Sequence, residues 1–463
     1  MDHLRIVGAG LAGCEAAWQG ASRGVRVTLY EMRPTVTTGA HKSAALAELV
    51  CSNSLRGASL ENAVGLLKEE MARLGSLIIE AARQTSVPAG GALAVDRERF
   101  SSFIEERIAA HPLIELRREE VCELDGGVPT IVACGPLGSE ALTAELARLC
   151  GKPHLHYYDA ASPIVAADSI ERSLVFAASR YGKGGDDYLN IPLDRVQYLQ
   201  LVEDLVTSPK TQPHGFEDDA QHGGVPYFEG CLPVEEMARR GPDTLRFGPL
   251  KPVGLYPPST APMHAGEAKA PARPYAVVQL RRENESATAY NMVGFQTRLT
   301  WPAQKLTFGK LPGLANAEWI RLGVMHRNTF VDAPRVLAAD LSLRNAPDVF
   351  LAGQVSGCEG YVEAAATGII AAENACRRLR GIAEPFVPAP TTAIGSLLAY
   401  LRDGTSHDFQ PQNVSFAYMT PLETAVRDKR QRRRLMAQRA LAEIDAIARG
   451  LQARGAAHQI IPA

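Results

Sequence analysis

The sequence predicts an α/β chain: a Rossmann-like fold in two separated parts, an α+β insertion between them and a mostly helical segment at the end. Three observations predict it. Near the start, the apolar Leu4-Arg5-Ile6-Val7 runs into Gly8-Ala9-Gly10-Leu11-Ala12-Gly13. Far downstream, Pro347 to Gln354 is again an apolar run ending in glycine, followed by an alanine-rich stretch from Val362 to Cys376. Between them, beyond about residue 152, the texture changes to tyrosine, proline and glycine.

The first of these is a strand feeding a G-x-G-x-x-G turn. Cys14 to Trp18 suit the helix that follows, and the second apolar run, Val25 to Tyr30, ends at the acidic Glu31. In the dinucleotide arrangement, Gly8 allows the tight turn, Gly10 lets backbone approach a pyrophosphate, and Gly13 lets helix and strand pack closely. Glu31 is placed to hydrogen-bond a ribose hydroxyl, and the helix N-terminus offers its positive end to the phosphates. A purely structural turn is the competing reading, but strand, helix and acid all stand where a bound dinucleotide needs them.

Met32 to Cys51 begins as a loop over the cofactor and is expected to become helical near Ser43. Ala63 to Gln84 has helical periodicity, with Leu66, Leu67, Met71, Leu74, Leu77 and Ile78 on one stripe. Asp96 opens a further amphipathic helix through Phe103, Ile104 and Ile108. Pro129 to Pro136 reads as a short buried strand, and Ser139 as the cap of a helix through Leu149. Tyr275–Arg282 and Thr288–Phe295 read as a hairpin around Glu283-Asn284-Glu285-Ser286.

In the downstream glycine-ended strand, Gly353, Gln354, Gly360 and Tyr361 are candidate cofactor contacts. A strand that ends at Ala-Gly and aims a helix N-terminus at a ligand repeats the dinucleotide arrangement, which favours FAD over NAD. The expected architecture is therefore a Rossmann-like FAD-binding domain of the two-dinucleotide-binding-domain flavoprotein type. It divides into residues 1–151 and 321–390, an inserted α+β domain over 152–320, and a C-terminal segment over 391–463. In that last segment Thr420-Pro421-Leu422-Glu423 predicts a capping box.

At 463 residues the chain has room for two or three domains. Lysine plus arginine (49) nearly balances aspartate plus glutamate (51), so no global field draws it to nucleic acid or membrane, and any such partner needs a local patch. No apolar run approaches the ~18 residues of a membrane span, and no leader precedes the first strand, so a cytoplasmic protein is expected. Eight cysteines without C-x-x-C pairs disfavour zinc and thioredoxin-like chemistry, and no metal is expected.

Two cysteines stand out. Cys51 opens the turn-prone Cys51-Ser52-Asn53-Ser54-Leu55-Arg56-Gly57, where it is placed to meet a flavin. It lacks a local redox partner, because position 56 is Arg56, and a cysteine packed there for shape is the bland alternative. Cys231 sits between Gly230 and Leu232-Pro233, a rigid bend able to present a thiol outward. Arg298, Trp301 and Lys305, with Gln296 and Gln304, make a set suited to a planar anionic ligand, or an ordinary surface loop. The basic run holding Arg430 and Arg433 is either a solvated helix face or a phosphate contact for RNA.

Taken together, these stretches resemble one family, the FAD- and folate-dependent tRNA (uracil-5-)-methyltransferases, or TrmFO family. The resemblance rests on GAGLAGCEAA (8–17), LVCSNSLRG (49–57), FEGCLP (228–233), NMVGFQT (291–297), GVMHRNTF (323–330, with His326) and GYVEAAATG (360–368). It covers most of the chain in the family's order. The first motif alone also fits related tRNA carboxymethylaminomethyl-modifying flavoproteins, whereas the two cysteine motifs together are more specific. Ile191 departs from the cysteine expected there in many members.

The resemblance implies transfer of a one-carbon unit from 5,10-methylenetetrahydrofolate to C5 of a T-loop uridine of tRNA, giving 5-methyluridine, with electrons from NADPH or NADH through FAD. It implies Cys231 as the nucleophile that adds at uracil C6, and Cys51 as the flavin-side base or organiser. It implies the T-arm as partner, with no protein partner and no membrane. Arg298, Trp301, Lys305, His326, Arg430 and Arg433 are the candidate substrate contacts. The same chemistry on a ribosomal RNA uridine, and a general FAD-dependent oxidoreductase, are the alternatives. A free thiol near pKa ~8.5 is only a few per cent ionised at neutral pH, so at least one cysteine needs an electropositive setting. Arg56 and His222 are candidates to supply it.

Overall fold

The computed structural model describes residues 2–458 apart from 39, 125–126, 152–154, 184, 213–231, 258–272, 403–408 and 410. Its centre is a six-stranded sheet in the order Ser342–Leu343, Ala346–Leu351, Thr130–Val132, His3–Val7, Arg26–Tyr30, Ile114–Arg117. All neighbours run parallel except the first pair. Strand His3–Val7 is paired on both edges; Leu4 and Ile6 are fully buried on one face and Val7 is buried on the other.

The two glycine-bearing segments come together on this sheet. Strand Ala346–Leu351 pairs with Thr130–Val132, which itself pairs with His3–Val7. Helix Tyr361–Leu379 lies against helix Leu11–Ser22, and the approach needs a residue without a Cβ. An added Cβ at Gly368 would fall on the Ala12 carbonyl. Both helices are rich in alanine on the shared face, so two backbones carrying the same kind of N-terminus converge on one point.

Residues 164–321 contribute a second six-stranded sheet, antiparallel throughout, in the order Phe176–Ala177, Tyr188–Leu193, Ala276–Arg282, Ala289–Met292, Ile164–Ala166, Trp319–Arg321. The expected hairpin is present as Ala276–Arg282 and Ala289–Met292, with Arg281 opposite Asn291. Ile191 is fully buried in the core of this sheet. A two-stranded ribbon of Leu155–Ala160 and Met325–Phe330 is the double crossing between the two sheets.

Three local expectations are corrected. No helix forms near Ser43: Ala47 takes a left-handed φ of 49°, its N–H bonds to the Ala9 carbonyl, and the Glu48 carboxylate binds the N–H groups of Lys42 and Ser43. The stripe over 63–84 breaks into helices Ala63–Arg73 and Leu77–Gln84, because Gly75 adopts φ 75° and Ser76 caps the second by accepting from Ile79 N–H. The capping box at Thr420 does not start a helix. The carbonyls of Thr420 and Pro421 instead accept from Arg439, and helix Lys429–His458 begins after Asp428, whose carboxylate accepts from Gln431 N–H at 2.6 Å. By contrast, Asp96 and Ser139 cap their helices as expected.

The C-terminal helices close over helix Ala63–Arg73. The buried Glu70 carboxylate accepts from the N–H groups of Ala393 (2.7 Å) and Ile394 (2.9 Å), the first turn of helix Ala393–Arg402. No helix among the described residues is long and apolar enough to cross a membrane.

Candidate active site

The cleft begins at the glycine turn. Gly8 has φ 99°, and a Cβ there would come within 2.6 Å of the Ala133 oxygen, while a Cβ at Gly13 would fall on the Gly8 carbonyl. A Cβ at Gly10 would meet no atom within 4 Å. Gly8 and Gly13 are therefore glycine for the fold, and Gly10 is glycine on the open side, facing the cleft. The cleft is bounded by Gly8, Gly10, Leu11 and Ala12, by Glu31 and His41, and by Gly353, Gln354 and Tyr361, with Gly353 close against Ala12.

Glu31 is buried at the end of its strand. Its Oε2 accepts from Ala9 N–H at 3.0 Å, and its Oε1 accepts from the Arg33 backbone N–H (3.0 Å) and Nε (2.8 Å). Burial opposes ionisation, but the Arg33 hydrogen bonds and charge, with the Ala9 N–H, outweigh it and hold the carboxyl below its usual range. The turn and the acid are thus locked together before any ligand binds. The glycine cradle, the open side at Gly10 and the ionised acid fit a dinucleotide such as FAD.

Cys51 lies beside the cleft, next to the lining residue Val50 and against Tyr361. The Tyr361 hydroxyl accepts from the N–H groups of Cys51 (2.7 Å) and Ser52 (3.2 Å). The rest of the turn is held from the antiparallel sheet: Arg281 Nε donates to Asn53 Oδ1 (2.9 Å) and its Nη2 to Ser52 Oγ (2.7 Å). Asn53 Nδ2 donates onward to the Val95 and Arg282 carbonyls, and Arg97 donates to the Leu49 carbonyl and pairs with Glu283. The half-buried Cys51 is in no disulfide. Burial pushes the thiols of two other cysteines, Cys150 and Cys376, up to about 11.

The remaining expected residues are placed differently. Cys231 and His222 lie outside the described residues. The backbone just after Cys231 is firmly anchored: Val234 N–H donates to the Gln296 carbonyl at 2.7 Å, and the Glu235 carboxylate accepts from Thr297 Oγ1 and Arg298 N–H. The Arg298 guanidinium pairs with Glu236 at 2.7 Å and so braces the helix that follows Cys231. Trp301 and Lys305 are exposed on helix Trp301–Gly309. His326 occupies the connecting ribbon, opposite Asp159. Arg430 pairs with Glu61 at 2.6 Å, and Arg433 donates to the Glu61 carbonyl and lies over the Phe416 ring.

Arg56 turns to Glu363, whose carboxylate is fully buried. The guanidiniums within electrostatic reach of Cys51 are instead Arg97, Arg281 and Arg321. Sequence reasoning does not single them out as site residues. The available signal is Arg281-Arg282-Glu283 at the end of a hairpin strand, where alternation puts at least one charge inside.

The fold and the cleft define a dinucleotide-binding α/β protein of the flavoprotein class. Residues 3–383 match the family described as Glucose inhibited division protein A. The chain is 55% identical over 443 residues to the methylenetetrahydrofolate--tRNA-(uracil-5-)-methyltransferase TrmFO of Geobacter sulfurreducens, covering 96% of this chain and 98% of the relative. It is 54% identical over 450 residues to the enzyme of the same name from Symbiobacterium thermophilum, covering 97% of each. Among solved structures, GidA of Aquifex aeolicus superposes with a TM-score of 0.70 at 16% identity, over 97% of this chain and 73% of that one, which supports the fold. The chain belongs to the TrmFO family.

Proposed function

We propose that this protein methylates C5 of the T-loop uridine of tRNA, taking the carbon from 5,10-methylenetetrahydrofolate and electrons from NADPH or NADH through FAD. The observation that carries the reading is the hydrogen bond that ties the Cys51 turn to Tyr361, a lining residue of the cleft at the glycine turn, in a chain with 55% identity to a methyltransferase of that name.

Uracil C5 is a poor nucleophile until a group adds at C6. In this reading the Cys231 thiolate makes that addition, and the resulting enolate carbon attacks the one-carbon electrophile. The C5 proton then leaves to a base, and expulsion of the tetrahydrofolate nitrogen gives an exocyclic methylene with the Cys231 sulfur still bound at C6. Bound FAD, once reduced, would supply the hydride equivalent that turns the methylene into methyl as the Cys231 sulfur leaves C6. Cys51 is the proposed base or organiser on the cofactor side. Gly8 to Gly13 and Glu31 hold the dinucleotide's pyrophosphate and ribose, and Gly353, Gln354, Gly360 and Tyr361 border its reacting end. Arg298 braces helix Val234–Arg239 through Glu236, while Trp301, Lys305, His326, Arg430 and Arg433 are proposed to meet folate or RNA.

The test is incubation of the purified yellow protein with methylenetetrahydrofolate, NAD(P)H and unmodified tRNA, read by nucleoside mass spectrometry. Formation of 5-methyluridine at one T-loop position is expected. Product on ribosomal RNA alone would reassign the substrate. Brisk NAD(P)H oxidation with no methylated RNA would replace the reading with a general FAD-dependent oxidoreductase.

A further inference from the structure

We propose that Arg97, Arg281 and Arg321 form a buried cationic clamp that holds the Cys51 turn in place and keeps its thiol ionised at neutral pH. Arg281 is the principal positioning residue. The inference rests on the reading of Cys51 as a reacting group beside the cofactor, and it adds the residues through which that thiol is made reactive.

The first support is geometric. Arg281 is buried and directs two of its donors to the residues immediately after Cys51: Nη2 to Ser52 Oγ at 2.7 Å and Nε to Asn53 Oδ1 at 2.9 Å. Arg97 reaches the same turn from the other side, at the Leu49 carbonyl. A sheet belonging to residues 164–321 thereby grips a loop belonging to the nucleotide-binding fold.

The second support is a charge balance that does not close without another anion. Among the described residues, the carboxylate facing these three guanidiniums is Glu283, which Arg97 holds at 2.5 Å. Arg97 Nη2 and Arg321 Nε are buried with no hydrogen-bond partner among the described residues. Buried cations left uncompensated cost several kcal/mol each, so the arrangement calls for negative charge. Besides Glu283, the titratable groups facing the cluster are Cys51, Tyr361 and, at Arg281, Tyr188. Burial raises both phenols above their usual range, the Cys51 charge adding to it at Tyr361, so neither supplies an anion at neutral pH. Cys51 is the group left to do so, its proton passing to solvent.

The test is the pH dependence of Cys51 alkylation by iodoacetamide in the flavin-bound protein, with the adduct located by peptide mass spectrometry. Neither RNA nor folate is present, so the result stands apart from methyl transfer. The expected midpoint lies a unit or more below the ~8.5 of a free thiol. In Arg281→Met it rises by about a unit, and Arg281→Lys, which keeps the charge, recovers at least half of the shift. If Arg281→Met loses its flavin, Arg321→Met serves instead, since it removes charge while leaving the Arg281 and Arg97 hydrogen bonds to the turn in place. A wild-type midpoint at ~8.5 or above, or one that neither substitution moves, would overturn the clamp. A lowered, arginine-dependent midpoint in a protein that makes no 5-methyluridine would uphold the clamp and discard the proposed function.

Discussion

The Tyr361 hydroxyl oxygen accepts hydrogen bonds from the backbone N–H of Cys51 at 2.7 Å and of Ser52 at 3.2 Å, across 310 and 309 positions of sequence. Tyr361 is the first residue of the helix that packs on the glycine-turn helix. The phenol therefore ties the reactive turn to the element that borders the cofactor cleft. Replacing it by phenylalanine keeps the ring and orphans two donors, at about 1–3 kcal/mol for each buried group. Tyr361→Phe is expected to retain flavin, read as absorbance per protein, and to form 5-methyluridine 10- to 100-fold more slowly. An unchanged rate would show that the hydroxyl does not position the turn.

Gly10 and Gly13 of the first turn are expected to fail in different ways when substituted. A Cβ at Gly13 collides with the Gly8 carbonyl, whereas one at Gly10 meets no protein atom within 4 Å. Gly10→Ala should therefore fold with an unfolding temperature like that of the flavin-free wild type, yet bind FAD weakly. Gly13→Ala should lose both stability and flavin. Equal FAD affinity in Gly10→Ala and wild type would remove the pyrophosphate from this turn.

Glu70 gives the fold a pH dependence of its own. Burial pushes its carboxyl up to about 7, above the ~4.3 of an unfolded glutamate. With the folded value the higher, its contribution to stability is complete below pH ~4.3 and is lost as pH rises through about 7. The wild type should lose up to roughly 3 kcal/mol relative to Glu70→Gln between pH 5 and 8, measured by denaturant unfolding at each pH. Parallel stability curves for the two proteins would mean that Glu70 titrates normally.

The basic run at the start of helix Lys429–His458 is anchored on the Glu61 carboxylate. Glu61 Oε1 accepts from both Arg430 (2.6 Å) and Arg434 (2.9 Å), which leaves the run with excess positive charge at the surface. The double variant Arg430→Ala/Arg433→Ala is expected to bind tRNA more weakly, with a salt slope shallower by about 1 to 2 and flavin content intact. A slope identical to wild type would make this helix a solvated face and place RNA elsewhere.

Much of the fold is legible in the sequence because it is written locally. The strand, glycine turn, helix and acid over residues 4–31 are contiguous, the caps at Asp96 and Ser139 follow from side-chain chemistry, and the hairpin at 276–292 follows from alternation. Where the sequence misleads, tertiary partners decide. Thr420 has the right residues for a cap, but Arg439 claims the carbonyls around it. Leu74 continues the apolar stripe, but Gly75 turns the chain there. The surroundings of Cys51 are the least legible part, because Arg97, Arg281 and Tyr361 come from three distant segments and meet only when the two sheets dock. Arg56, a candidate because it is close in sequence, is drawn off by Glu363.

The most direct measurement follows the carbon. Protein, unmodified tRNA, NAD(P)H and methylenetetrahydrofolate carrying ¹³C in its methylene group are incubated together, and the T-loop nucleoside is analysed by mass spectrometry for wild type and Cys231→Ala. The account expects 5-methyluridine one mass unit heavier in the wild type and none in the variant. Unlabelled product, or undiminished labelled product in Cys231→Ala, would contradict it.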